Sequence, residues 1–155
     1  MNKTLSEATL AQAQKLDHQL CFALYSASLA MTKLYKPLLD SLGLTYPQYL
    51  VMLVLWEQDT QSVSMLGARL GLDSGTLTPL LKRLEEAGLL LRRRDVLDER
   101  RVIVQLTHAG RKLQKPAASV PQCLLQTVAC DLSELSALTQ KIQWLKTQLT
   151  QRTNE

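Results

Sequence analysis

Two short helical stretches separated by a glycine, with a basic hairpin directly behind them, constrain this chain more than any other feature. Ser62 or Ser64 can start a helix that runs to Leu70 and stops at Gly71. Asp73 or Ser74 can cap a second, which carries Leu77, Leu80, Leu81 and Leu84 inward and ends at Gly88. Two helices of this length joined by a tight glycine-containing turn form a helix-turn-helix. The following residues predict two strands, Leu89 to Asp95 and Arg100 to Leu106, around a turn from Val96 to Glu99. In the second strand Val102, Val104 and Leu106 alternate against Arg101, Ile103 and Gln105. A basic hairpin behind a helix-turn-helix is a wing.

Charge singles out the same region. Lys82 to Lys115 holds ten Lys/Arg against five Asp/Glu, whereas the rest of the chain carries eight basic and nine acidic residues. The formal charge of +4 therefore lies wholly in one segment, the footprint expected for a polyanion partner.

Helical periodicity fills both ends. Leu16, Leu20, Leu24, Ala27, Met31, Leu34, Leu38 and Leu42 recur at spacings of three and four and predict a long amphipathic helix that Pro37 bends and Gly43 ends. Thr45 and Gln48 match a capping box for a second helix, whose apolar run Tyr49 to Trp56 is dense enough to be buried; Asp59 to Ser62 reads as the loop after it. Thr107 can cap a helix from His108 that Pro116 and Pro121 kink or break. Asp131 with Glu134 caps the last helix, striped by Leu132, Leu135, Leu138, Ile142, Leu145 and Leu149. At 155 residues with 46% hydrophobic and 21% charged residues, the chain reads as one folded domain, 1–155. Its longest apolar run is too short to span a membrane, and Met1 to Leu10 lacks the apolar core of a signal peptide, so a cytoplasmic protein is expected.

Catalytic patterns are missing. His18 and His108 are far apart, and there is no glycine-rich phosphate loop, no Gly-x-Ser-x-Gly and no His-Glu-x-x-His. Cys123 and Cys130, seven apart, do not make a zinc pattern, and neither a metal nor a cofactor is expected. Double-stranded DNA is the partner the residues favour. Ser74, Thr76 and Thr78 stand at the amino end of the second short helix, with Lys82 and Arg83 further along it and Arg94 on the wing. At the hairpin tip Asp98 can brace the guanidinium of Arg100, which would enter a minor groove.

The run Leu72-Asp73-Ser74-Gly75-Thr76-Leu77-Thr78-Pro79-Leu80-Leu81-Lys82-Arg83-Leu84-Glu85, with Asp98-x-Arg100 and Leu106-Thr107, resembles the winged helix-turn-helix repressors of the MarR (multiple antibiotic resistance regulator) family. Leu16 to Ser26 and Leu44 to Leu50 look like its organic hydroperoxide resistance regulators. The resemblance implies a mainly α fold with a small β-hairpin wing. Residues 45–107 would form the DNA-binding part, and 6–43 and 108–151 the dimerisation helices of a homodimer on a palindromic operator.

It also implies a peroxide-reactive thiol at Cys21, hydrogen-bonded as a thiolate by Tyr35 and Tyr46, and organic hydroperoxides as inducers. Cys21 and Tyr35 lie 14 residues apart on one expected helix, about 21 Å. If Tyr35 serves Cys21, it must come from the partner chain. Phe22 and Tyr25, with Met52 and Trp56 as further walls, would make the thiol's surroundings apolar. Resolution by a carboxyl-terminal cysteine of the other subunit would fall to Cys130 or Cys123, with the balance toward Cys130. Two-cysteine relatives carry a cysteine where this chain has Gln126, so either could substitute. The alternative is a repressor of the same family that answers a non-covalent small ligand, with Cys21 incidental. A thiol peroxidase and an architectural DNA-binding protein are more distant readings.

Overall fold

The computed structural model describes residues 12–128 and 131–153. Cys130 and residues 6–11 of the expected dimerisation stretch lie outside the described residues, as does the amino-terminal start. The chain gathers into two compact units, Met1–Gln114 and Lys115–Glu155.

In the first unit the leucine periodicity produces α1 (Leu20–Asp40), four residues later than the stripe suggests, because Leu16–His18 wind into a 3-10 turn and Gln19 is extended. Pro37 lies inside α1, which continues to Asp40; Gly43, at φ 67°, turns the chain away. α2 (Tyr46–Glu57) opens on the expected capping box: the Thr45 N–H donates to Gln48 Oε1 at 2.8 Å, and the Gln48 N–H donates to Thr45 Oγ1 at 3.5 Å. Its run Tyr49 to Trp56 buries Val51, Met52 and Leu55 almost completely.

Ser62 caps α3 (Val63–Leu70), and Asp73 caps α4 (Ser74–Glu86), which settles both alternatives left by the sequence. Between them Gly71 adopts φ 67°, a left-handed conformation that costs glycine little and lets the helix-turn-helix close. Leu66, Leu77, Leu81 and Leu84 form the core of the motif, while Leu80 is only half-buried.

The wing strands are β2 (Leu90–Arg94) and β3 (Val102–Leu106), paired antiparallel with Leu90 opposite Leu106 and Arg94 opposite Val102. The sheet has a third member. Gln61–Ser62, expected as loop, is β1 and pairs with the free edge of β3, giving the order β1-β3-β2. Two residues are too few to show alternation, so only the exposed donors and acceptors of β3 define β1 as a strand. Asp59 secures this corner: Oδ1 accepts the Leu106 N–H at 2.8 Å and Oδ2 accepts Arg111 Nη1 at 2.6 Å.

Thr107 Oγ1 accepts the Gly110 N–H at 3.0 Å and so caps α5 (His108–Ala117). The break falls at Ala118, after Pro116 and before Pro121, and α6 (Ser119–Val128) follows. In α7 (Leu132–Thr153) the first turn is held by Asp131, whose carboxylate accepts Ser133 Oγ at 2.7 Å and whose N–H donates to Glu134 at 3.4 Å. The apolar stripe of α7 is present but largely open to solvent, with Leu132, Leu138 and Ile142 all exposed. The same holds in the first unit for Leu20, Tyr25 and Leu29 of α1. No helix among the described residues is long and apolar enough to cross a membrane.

Candidate DNA interface and thiol site

α3, α4 and the wing enclose a groove of about 500 Å³. Ser74 and Thr78 of α4 line one side and Arg92, Arg100 and Arg101 the other, with Ser64 of α3 at the edge. Because Asp73 is the helix cap, the Ser74 hydroxyl is not spent on capping. Thr76 is committed: its N–H donates to Asp73 Oδ1 at 2.8 Å and its hydroxyl to Oδ2 at 3.1 Å, which holds the Asp73 carboxyl below its usual range. Lys82 sits on the exposed face of α4, 3.8 Å from Glu86, and Arg83 is exposed beside it. Nothing in the sequence marks Ser64, Arg92 or Arg101 individually: the two arginines are part of the basic run, and Ser64 carries no signal beyond helix capping.

Helix and wing are joined by one carboxylate. Glu85 Oε2 accepts Arg92 Nη2 at 2.7 Å and Nε at 2.9 Å, and Oε1 accepts the Arg92 backbone N–H at 2.8 Å. These bonds, the side-chain ones first, hold the Glu85 carboxyl below its usual range. The wing tip departs from expectation. Asp98 Oδ1 accepts the backbone N–H of Arg100 at 3.0 Å rather than its guanidinium, and the ion pair at the base of the tip runs from Arg101 to Asp95 at 3.8 Å. A carboxylate two residues upstream reaches the backbone more easily than a long side chain pointing into solvent, the geometry of an Asx turn. Arg94 is exposed at the end of β2.

At the other end of the first unit, Tyr35 and Tyr46 come together with ring centroids 4.8 Å apart, and Tyr35 lies 6.1 Å from Tyr49. Burial, then the neighbouring phenols of Tyr46 and Tyr49, push the Tyr35 hydroxyl up to about 12. It therefore keeps its proton and remains a hydrogen-bond donor at any physiological pH. Beside Tyr46 opens an apolar pocket of about 290 Å³, walled by Leu39, Leu44 and Pro47, with Lys33 and Lys36 at its margin. Cys21 is not part of this group. It is exposed near the start of α1, and the unbroken helix between it and Tyr35 keeps the separation of about 21 Å. Within the chain Met52 is in the core, and Trp56 Nε1 donates to the Gly110 carbonyl at 2.9 Å. Cys123 is half-buried in α6.

The raised Tyr35 hydroxyl gives a pH prediction. An unfolded phenol ionises near 10, so between about pH 10 and 12 the folded chain holds a proton that the unfolded chain has lost, and stability falls as pH rises through that window. In a spectrophotometric titration at about 295 nm, Tyr35→Phe should remove part of the late-ionising absorbance, to which Tyr49, also raised by burial, contributes the remainder. An unchanged late component would assign it to another tyrosine.

Residues 33–116 match the family described as transcriptional regulator SarA/Rot. The chain is 54% identical over 111 residues to the organic hydroperoxide resistance transcriptional regulator of Bacillus subtilis (strain 168), covering 72% of this chain and 76% of that one. Among solved structures it is similar to AbfR of Staphylococcus epidermidis. The reduced, DNA-bound form of AbfR gives a TM-score of 0.75 at 33% identity, covering 92% of this chain and 99% of that one. The disulfide form gives 0.62 at 35% identity, covering 90% and 98%. A MarR-family regulator from Rhodococcus sp. RHA1 shares the fold, with a TM-score of 0.75 at 23% identity over 85% of this chain and 95% of that one. These relatives are transcriptional regulators, not enzymes, and the chain belongs with them to the SarA/Rot family of MarR-type winged-helix transcriptional regulators, alongside the organic hydroperoxide resistance regulators.

Proposed function

We propose that this regulator is a repressor that binds operator DNA as a reduced homodimer and leaves it when an organic hydroperoxide oxidises Cys21. The observation that carries this reading is the split of the sensor group within one chain. A protonated Tyr35 lies tilted against Tyr46, which itself lines an apolar pocket, while Cys21 stands about 21 Å away on an exposed apolar helix face. A second copy packed antiparallel against α1 would bring its Cys21 to these tyrosines and cover Leu20, Tyr25 and Leu29. The stripe on α7 offers a further surface for the same purpose. In the dimer, two phenol O–H groups favour the thiolate over the thiol.

The thiolate attacks the distal peroxide oxygen and the O–O bond breaks. The alcohol leaves with a proton, and the sulfur, oxidised by two electrons, becomes a sulfenic acid. A thiol of the other subunit, Cys130 or Cys123, condenses with it and releases water. Such a bond needs Cα atoms within about 7 Å, so closing it would move helices and with them the spacing of the two DNA-reading heads. Operator contact is assigned to Ser74, Thr78, Lys82, Arg83, Arg94 and Arg100, with Thr76 and Asp98 holding their neighbours in place. Arg92, Arg101 and Ser64 join them at the groove. The chain is more similar to DNA-bound AbfR, whether reduced or overoxidised, than to its disulfide form, which supports a DNA-competent state without the disulfide.

The test is a band shift on a palindromic operator. Cumene hydroperoxide should release the protein and dithiothreitol should restore binding. On non-reducing gels the crosslinked dimer should vanish in Cys130→Ser or in Cys123→Ser; its survival in both rejects the two-cysteine scheme. The pocket beside Tyr46 supports the second reading, a non-covalent inducer, which predicts that Cys21→Ser still responds.

A further inference from the structure

Two large apolar side chains stand almost wholly in solvent at the wing tip, Val96 at 94% and Leu97 at 96% exposure. The tip is a held loop. The Leu97 N–H donates to Asp95 Oδ1 at 3.0 Å, the Arg101 N–H to the Asp98 carbonyl at 2.9 Å, and the Asp95 N–H to the Arg101 carbonyl at 2.9 Å. These bonds fix the backbone that carries Val96 and Leu97, so burying the two side chains orders little that is not already ordered. Arg94, Arg100 and Arg101 bracket them, and the groove lined by Arg100, Arg101, Ser74 and Thr78 runs between wing and α4.

We infer that Val96 and Leu97 pack against the deoxyribose walls of the operator's minor groove, as an apolar contact distinct from the ionic contacts of the surrounding arginines. A duplex minor groove sets C–H surfaces of the sugars between two lines of phosphates. An apolar pair flanked by guanidinium groups is complementary to that alternation. Guanidinium contacts release counterions and respond to salt. Sugar contacts release none and should be nearly blind to it.

The inference rests on the reading of the chain as an operator-binding protein, and the experiment separates the two. Operator affinity is measured against salt for wild type, for Arg100→Ala and for the double variant Val96→Ser/Leu97→Ser, with hydroxyl-radical footprints of each complex. Arg100→Ala should bind more weakly with a slope of log K against log[salt] shallower by about one. The double variant should bind about tenfold more weakly with the wild-type slope, and should lose sugar protection where the wing enters. Both positions are so exposed that the fold should not change, which circular dichroism checks. Wild-type affinity and protection in the double variant would overturn the inference, as would a changed salt slope. Loss of attachment to phosphatidylserine vesicles with operator binding intact would assign the tip to a lipid surface instead. If wild type fails to prefer the operator over random DNA, the operator reading itself falls.

Discussion

Cys21→Ser is expected to bind operator as tightly as the reduced wild type and to stay bound after cumene hydroperoxide, whereas the wild type loses affinity by on the order of 100-fold, the upper part of the usual range for coupling between sites. A serine hydroxyl is nearly isosteric with the thiol but remains protonated and cannot be oxidised, so the variant keeps the shape and removes only the chemistry. Cys21 is exposed in the single chain and makes no core contact there, so folding should not intervene. The tyrosines give a finer check. Tyr35→Phe or Tyr46→Phe should slow the reaction of Cys21 with peroxide while leaving operator affinity alone, because each would remove a proposed donor to the thiolate and neither lines the groove proposed for DNA. Release of Cys21→Ser by peroxide would show that another group senses the oxidant.

Gly110→Ala should destabilise the first unit by about 3 kcal/mol or more, read as a lower urea midpoint with an unchanged slope. In an ordinary helix the substitution stabilises by up to about 1 kcal/mol, so the sign itself is diagnostic. Gly110 lies in the first turn of α5, where its N–H donates to Thr107 Oγ1 at 3.0 Å and its carbonyl accepts Trp56 Nε1 at 2.9 Å. A Cβ at this position would fall 2.0 Å from the Leu89 carbonyl oxygen and 3.1 Å from Leu106 Cδ2. No side-chain rotation relieves a Cβ, so α5 would have to lift from the start of the wing. That movement breaks the Thr107 N–H bond to Leu89 at 3.1 Å and the Thr107 hydroxyl bond to Gly88 at 2.7 Å. A variant as stable as wild type would mean that helix and hairpin do not approach this closely.

The helix-turn-helix was legible because its signals are local. Gly71 and Gly88 are the only economical ends for two short helices, and the leucines of α4 recur at helical spacing. The capping box at Thr45 is equally local. The third strand was not legible, since Gln61–Ser62 becomes a strand only through the edge of β3, more than 40 residues away. At the wing tip the sequence located Asp98 and Arg100 but not their contact. Whether a carboxylate takes a backbone amide or a guanidinium depends on the loop's path.

The proposed sensor divides in the same way. Counting residues along α1 was enough to forbid a contact between Cys21 and Tyr35 in one chain, because a helix has a fixed rise and α1 is continuous over that interval. The sequence alone therefore determined the winged motif, the placement of the positive charge and the distance between thiol and phenol, all properties of short range or simple arithmetic. Only the tertiary structure decided that Tyr35 meets Tyr46 beside an apolar pocket, that Glu85 ties the recognition helix to Arg92 of the wing, and that Gly110 has no room for a methyl group. Each of these depends on where separate elements come to rest against one another, and that is set by burial of the shared core, not by the local pattern of any one segment.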